Sequence, residues 1–309
     1  MPALKWVESV DQPESLALCL AALSAAHGRR TGYGEWIAAL GLGAATVAMP
    51  AICARRWPSL ARDLSLASAA AVYGFVLREL HPPDAAVGLA LSGEFPQHFD
   101  DSYRPLVSRA LQNGQRALAW RGWGVADESP ADEWGLIDRE AKGELLGWAS
   151  GGANPRPLSA APHQVYVVED VMDDWTPPGA EAQLNHARAA ASAYWRADQA
   201  VRFGVQFGKA AWNALSGACR GRCACGASGV ECASYALRRM GLARAELARW
   251  LEGLRQGPSS EVRAAATRWS ASLYRILDRL GRVSASECEH ACELASAEEV
   301  ALHAELLRN

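Results

Sequence analysis

Apolar positions divide the chain into two kinds of rhythm. Leu16, Leu20 and Leu23 recur at helical spacing behind Asp11 and Pro13 and stop at Gly28, which predicts a helix over 11–27 capped by Asp11 with Pro13 in its first turn. Further helices are predicted over 32–40, 58–71 and 103–113, the last closed by Gly114. The period then changes. Segments 116–123, 133–139, 144–149 and 164–171 are short and rich in Val, Leu, Ile, Tyr or Trp, and Gly, Pro, Asp or Asn separates them, so they read as antiparallel strands. The middle two are joined by a turn over 139–143, which sets Trp134 and Trp148 on neighbouring strands. Segments 75–80 and 87–91 fit strand or helix equally, because short apolar runs do not discriminate.

Residues 173–179, with Pro177 and Pro178 adjacent, break every pattern and mark a linker. Helical rhythm resumes beyond it over 182–216, 233–256, 259–280 and 286–307. No 20 to 50 residue repeat is present.

Length and composition narrow the function classes. The chain has 309 residues, enough for one large or two modest domains. Hydrophobic residues make up 50%, charged residues 21%, and the net charge is -3, which disfavours disorder and a polybasic nucleic-acid surface. The stretch 37–54 is interrupted by Gly41, Gly43 and Pro50 and is too Ala-rich to span a bilayer. The N-terminus carries charge and proline where a signal peptide needs an apolar run, so a cytoplasmic protein is expected, without nucleic-acid or membrane partners. No feature sets an oligomeric state. The acidic pairs at 100–101, 132–133 and 173–174 read as caps or solvated boundaries, and the glycine pairs lack the setting of a phosphate loop.

The order helix, Gly-rich apolar loop, helices, antiparallel sheet, Pro linker and helical tail resembles the papain-like, C39-like cysteine-peptidase fold. The specific likeness is to the N-terminal domain of the butirosin-biosynthesis H family. Its carriers are the loop Tyr33-Gly-Glu-Trp-Ile-Ala-Ala-Leu-Gly-Leu-Gly43, the segment Ala110-Leu-Gln-Asn-Gly-Gln-Arg-Ala-Leu-Ala119, Glu133-Trp-Gly-Leu-Ile137 with Gly147-Trp148, and the aromatic residues Tyr194-Trp195 and Trp212 of the tail. The resemblance implies an α+β protein, mostly α overall. A papain-like helix-plus-antiparallel-sheet domain would occupy 1–172, a Pro-rich linker 173–183, and an all-helical domain 184–309 with a Cys-rich loop at 217–233. It also implies a Cys at the start of the first helix and a His on a facing strand. Here Cys19 lies two turns past the predicted helix start, and Glu133 or Trp134 occupies the His position. His27 is about 12 Å along the same helix from Cys19, too far for a local pair.

Cys19 therefore reads as a core residue, since free Cys is among the most buried types. Ser15 reads as a first-turn residue, and a hydroxyl nucleophile served by His163 is the weaker alternative. Trp120, Trp123, Trp134 and Trp148 fall in consecutive predicted strands, where they either line a ligand pocket or anchor the core.

The most localised chemistry lies at Cys219, Cys223, Cys225 and Cys232, spaced C-x3-C-x-C-x6-C in a Gly-rich loop. Four thiolates there can wrap a tetrahedral ion, zinc first, with Arg220 and Arg222 balancing the charge. The same loop admits one or two disulfides or unmetallated thiols. Cys288 and Cys292, four apart on a predicted helix, share one face and extend a thiol site if that helix packs beside the loop; otherwise they are core.

The expected function is a non-proteolytic ligand-binding or accessory protein, a pseudoenzyme of bacterial specialised metabolism that takes a small molecule or peptide in a cleft without its catalytic pair. Two alternatives stand beside it. One is a thiol-dependent acyltransferase or hydrolase, and the other is a metal-binding or thiol-sensing protein working through the Cys219 to Cys232 loop.

Overall fold

The computed structural model describes residues 14–60, 65–81, 93–123, 133–149, 154–196, 204–257, 259–281 and 287–306. In chain order the first half holds α1 (Ser15–Ala26), α2 (Tyr33–Ala39), β1 (Val47–Ala48), α3 (Leu66–Val72), β2 (Phe75–His81), α4 (Phe95–His98), α5 (Arg104–Gln112) and β3 (Ala117–Trp120). The second half holds β4 (Trp134–Ala141), β5 (Glu144–Ala149), β6 (Arg156–Pro157), β7 (Gln164–Val171), α6 (Ala180–Arg196), β8 (Gln206–Phe207), α7 (Gly208–Arg220), α8 (Gly229–Leu254), α9 (Ser260–Gly281) and α10 (Cys288–Leu306). The protein is α+β and mostly helical. Its chain forms two compact units, Met1–Gly32 with Ala70–Pro177 and Tyr33–Ala69 with Pro178–Asn309.

The first unit is built on a six-stranded antiparallel sheet in the order β2-β7-β3-β4-β5-β6. The hairpin β4–β5 forms because Lys142 and Gly143 take φ of 54° and 77°, the left-handed pair that a two-residue turn needs. Its register sets Leu136 opposite Trp148 and Gly135 opposite Ala149, so Trp134 and Trp148 do lie on neighbouring strands. Ala117, Ala119, Ile137, Val165 and Val167 present small and β-branched side chains to Phe99, Val107, Ala110 and Leu111, forming a continuous apolar core. The Trp123 indole packs against Gly135 and Gly147, where a Cβ on either glycine would overlap it, and donates from Nε1 to the Ala119 carbonyl at 3.1 Å. Beside β4, the Ser15 hydroxyl of α1 accepts the buried Trp134 N–H at 2.8 Å.

In the second unit α7, α8, α9 and α10 pack as neighbours, and a two-stranded pairing of β1 with β8 makes the unit less than wholly helical. The single helix expected over 182–216 is two. Gly204 and Gly208 take φ of 76° and 53°, and Phe207 between them is extended and pairs with Val47, so the chain turns where alanine periodicity runs on. The helix expected over 58–71 is likewise a 3-10 segment, Ala54–Leu60, followed by α3. A π-helical turn, Phe99–Tyr103, precedes α5 where an α-helix was expected to begin. Segment 75–80 is strand, and 116–123 is strand only to Trp120. Asp11 and segment 87–91 lie outside the described residues. A fully buried polar ring ties this unit together. Arg244 donates from Nη2 to Glu299 Oε1 and to Thr46 Oγ1, each at 2.7 Å, Thr46 donates to Glu299 Oε2 at 2.8 Å, and the Trp212 indole N–H also donates to Glu299. Among the described residues no helix is long and apolar enough to cross a membrane.

Candidate metal centre

The loop between α7 and α8 is closed by its own backbone. Cys223 N–H donates to the Ala227 carbonyl at 3.0 Å, Gly226 N–H to the Cys223 carbonyl at 2.9 Å, and Gly229 N–H to the Gly221 carbonyl at 3.0 Å. Gly226 at φ 82° makes the reversal that brings Cys225 back beside Cys223. Cys232 lies one turn into α8 and is fully buried. The fourth sulfur comes from elsewhere. Cys53, directly before the Ala54–Leu60 segment, points into the loop, and the four Sγ atoms of Cys53, Cys223, Cys225 and Cys232 all lie within 4.8 Å of one another. Two of the separations, Cys53 to Cys232 and Cys225 to Cys232, are 3.7 Å. A tetrahedron with zinc–sulfur bonds of about 2.3 Å has edges of about 3.8 Å, which matches these two separations, and the whole set lies within 4.8 Å.

The electrostatics also favour a cation. Burial pushes the Cys223 thiol up, but the backbone N–H groups of Cys225 and Ala54 and hydrogen bonds from Cys53 and Cys225 outweigh it and hold the group at about 6. Burial and hydrogen bonds shared with Cys225, Cys53 and Cys223 push Cys232 up to about 12, and burial raises Cys53. One thiolate thus stands among thiols that share its charge. Arg55 lies close enough to Cys232, Cys53 and Glu231 for them to raise its pKa. Arg220, expected to balance the thiolate charge, instead pairs with Glu289 at 2.9 Å.

Cys219, predicted as a ligand of this set, is not one. It forms a disulfide with Cys288, 69 residues away and 5.9 Å between Cα atoms, because α10 packs against the last turn of α7. Cys53 takes its place in the quartet. Its nearest sequence sign is a lone Cys in the turn bounded by Pro50 and Pro58, a weak signal without the loop's fold. Cys292 lies beside the disulfide, and burial with the nearby charges of Glu289 and Glu293 pushes its thiol up to about 12.

The remaining predicted site residues are dispersed. Cys19 is fully buried, and burial, then the charge of Glu133, raises its thiol well above the ordinary range. Ser15 holds Trp134 N–H, and Glu133 accepts from Arg156 at 2.7 Å. His163 sits edge-on to Phe95 and Trp120, with Nδ1 3.4 Å from Arg121. The four tryptophans do not form one wall. Trp120, Trp134 and Trp148 follow the face shared by Leu118 and Leu136, whereas Trp123, past the end of β3 and the positive-φ residues Arg121 and Gly122 (φ 54° and 131°), packs on the opposite face with Ala117 and Ala119.

Compared with known protein families and with curated proteins, the chain matches none.

Proposed function

We propose that the protein is a zinc–thiolate protein whose ion is held by Cys53, Cys223, Cys225 and Cys232. The observation that carries this reading is the convergence, within 4.8 Å, of four sulfurs drawn from two distant parts of the chain, two of their separations being 3.7 Å. Soft thiolates select zinc, copper(I) or iron, and a closed set of four suits zinc in particular. Four protein ligands leave no open position for water or substrate, which favours a structural or thiol-responsive ion over a hydrolytic one. The ion would pin the α7–α8 loop, which has little apolar surface of its own, to the segment around Cys53.

Purified without chelator, wild type is expected to carry one zinc per chain by elemental analysis, and Cys53→Ser and Cys223→Ser are each expected to carry none. Metal retained in Cys53→Ser would return the site to the contiguous loop cysteines. Sub-stoichiometric metal in wild type, with Cys53 and Cys232 found oxidised together by mass spectrometry, would replace the metal with a disulfide.

A further inference from the structure

A second set of sulfurs lies in the same unit. The Sγ atoms of Cys219, Cys288 and Cys292 are within 4.8 Å of one another, and all three residues are buried. Cys288 and Cys292 stand one turn apart on α10 and face Cys219 on the last turn of α7. A disulfide needs only two sulfurs, and the third lies within 4.8 Å of both members of the bonded pair. Cys292 of this trio lines a groove together with Ser216, Arg220, Glu289 and Glu293.

We propose that Cys219, Cys288 and Cys292 form a second, redox-gated thiolate site for a zinc-type ion. In the oxidised protein the Cys219–Cys288 bond withholds two of the three donors. A dithiol reductant breaks that S–S bond, giving up two electrons and two protons, so that Cys219 and Cys288 become thiols and the reductant becomes a cyclic disulfide. The divalent ion then displaces the protons of the three thiols, which leave to solvent, and water or a carboxylate from the groove completes its coordination. Re-oxidation by a disulfide reverses the sequence, expelling the ion as the Cys219–Cys288 bond reforms. Three protein sulfurs with a fourth position towards a groove is an open site, in contrast to the closed quartet.

The test is a cadmium titration, read by the ultraviolet thiolate-to-cadmium band and by elemental analysis, on oxidised protein and on protein reduced anaerobically with a dithiol that is then removed. The expected result is a doubling, from one equivalent per chain in the oxidised protein to two in the reduced. Cys292→Ser keeps the disulfide and is expected to bind one equivalent in both states, with Cys292→Ala as a second variant and circular dichroism as the control for folding. Reduced wild type that binds no second ion, or that unfolds, overturns the proposal, as does a second equivalent that survives both Cys292 variants. Failure of the Cys53 quartet is separable, because it removes the equivalent bound by the oxidised protein.

Discussion

The two units use opposite means to fix their buried geometry. In the sheet unit the deciding contacts are apolar and short-range in type: Trp123 in its glycine slot, and Val165, Val167 and Ile137 against Val107 and Leu111. Even the ion pair Arg116 to Asp138, at 2.8 Å, leaves the Asp138 side chain 18% exposed. In the helical unit the deciding contacts are charges and sulfurs that join distant parts of the chain, as Arg244 meets Glu299 and Thr46, and Cys219 meets Cys288. Apolar packing degrades by degrees when one side chain is trimmed, because neighbours relax into the space. A dry ion pair or a metal–thiolate set fails abruptly, since the partner left behind cannot return to water.

The sharpest break of that contrast is Glu299→Leu. The side-chain exposures of Arg244 and Glu299 are 0% and 1%, so removing the carboxylate strands a guanidinium in the core and is expected to cost about 3–5 kcal/mol in urea unfolding. The double variant Arg244→Met with Glu299→Leu is expected to recover most of that loss. A single variant as stable as wild type would place the ring among ordinary surface pairs.

Next in size is an acid dependence. His303 is wholly buried, stacked on Trp195 at 4.4 Å between ring centroids, with Glu299 and Arg244 nearby. Burial lowers its pKa to about 4, with Arg244 adding to the fall and Glu299 opposing it. The folded state therefore binds a proton less readily than the unfolded chain, where the group titrates near 6.5. The resulting stability is complete above the unfolded value and is lost as pH falls through 6.5 towards 4, by about 3 kcal/mol at most. His303→Phe keeps the stack, and it should remove this share of the slope between pH 7 and 4. A difference between wild type and variant that does not change over that window would assign the acid sensitivity to other groups.

The same contrast explains what the sequence discloses. Alternation and a Lys-Gly turn are local, so β4, β5 and their pairing are legible from residues 134–149 alone. Trp123 lies beyond the strand expected to hold it because the positive-φ residues Arg121 and Gly122 end β3 at Trp120. The α6–α7 break is hidden because alanine is helix-prone on both sides of Gly204 and Gly208, and it takes the pairing of Phe207 with Val47 to stop the helix. Of the quartet, the three loop cysteines are visible by proximity. Cys53 is invisible because tertiary packing brings it in from a distant part of the chain. Cys219 is drawn into the wrong set by that same proximity, since adjacency in sequence says nothing about which way the end of α7 faces.

The smallest effect expected comes from an uncharged polar tie in the sheet unit. Ser15 Oγ accepts the buried Trp134 N–H at 2.8 Å, linking the first turn of α1 to the first residue of β4. Ser15→Ala removes the acceptor and leaves a backbone donor without its partner, but neither group is charged, so the cost is the desolvation of one amide, about 1–2 kcal/mol. Ser15→Thr retains the hydroxyl and is expected to restore most of the loss. Amide hydrogen exchange at Trp134 is the local readout: protection should fall in the Ala variant and return with Thr. Equal protection in all three proteins would mean that the N–H finds another acceptor, and that α1 is held on β4 by its apolar side chains alone.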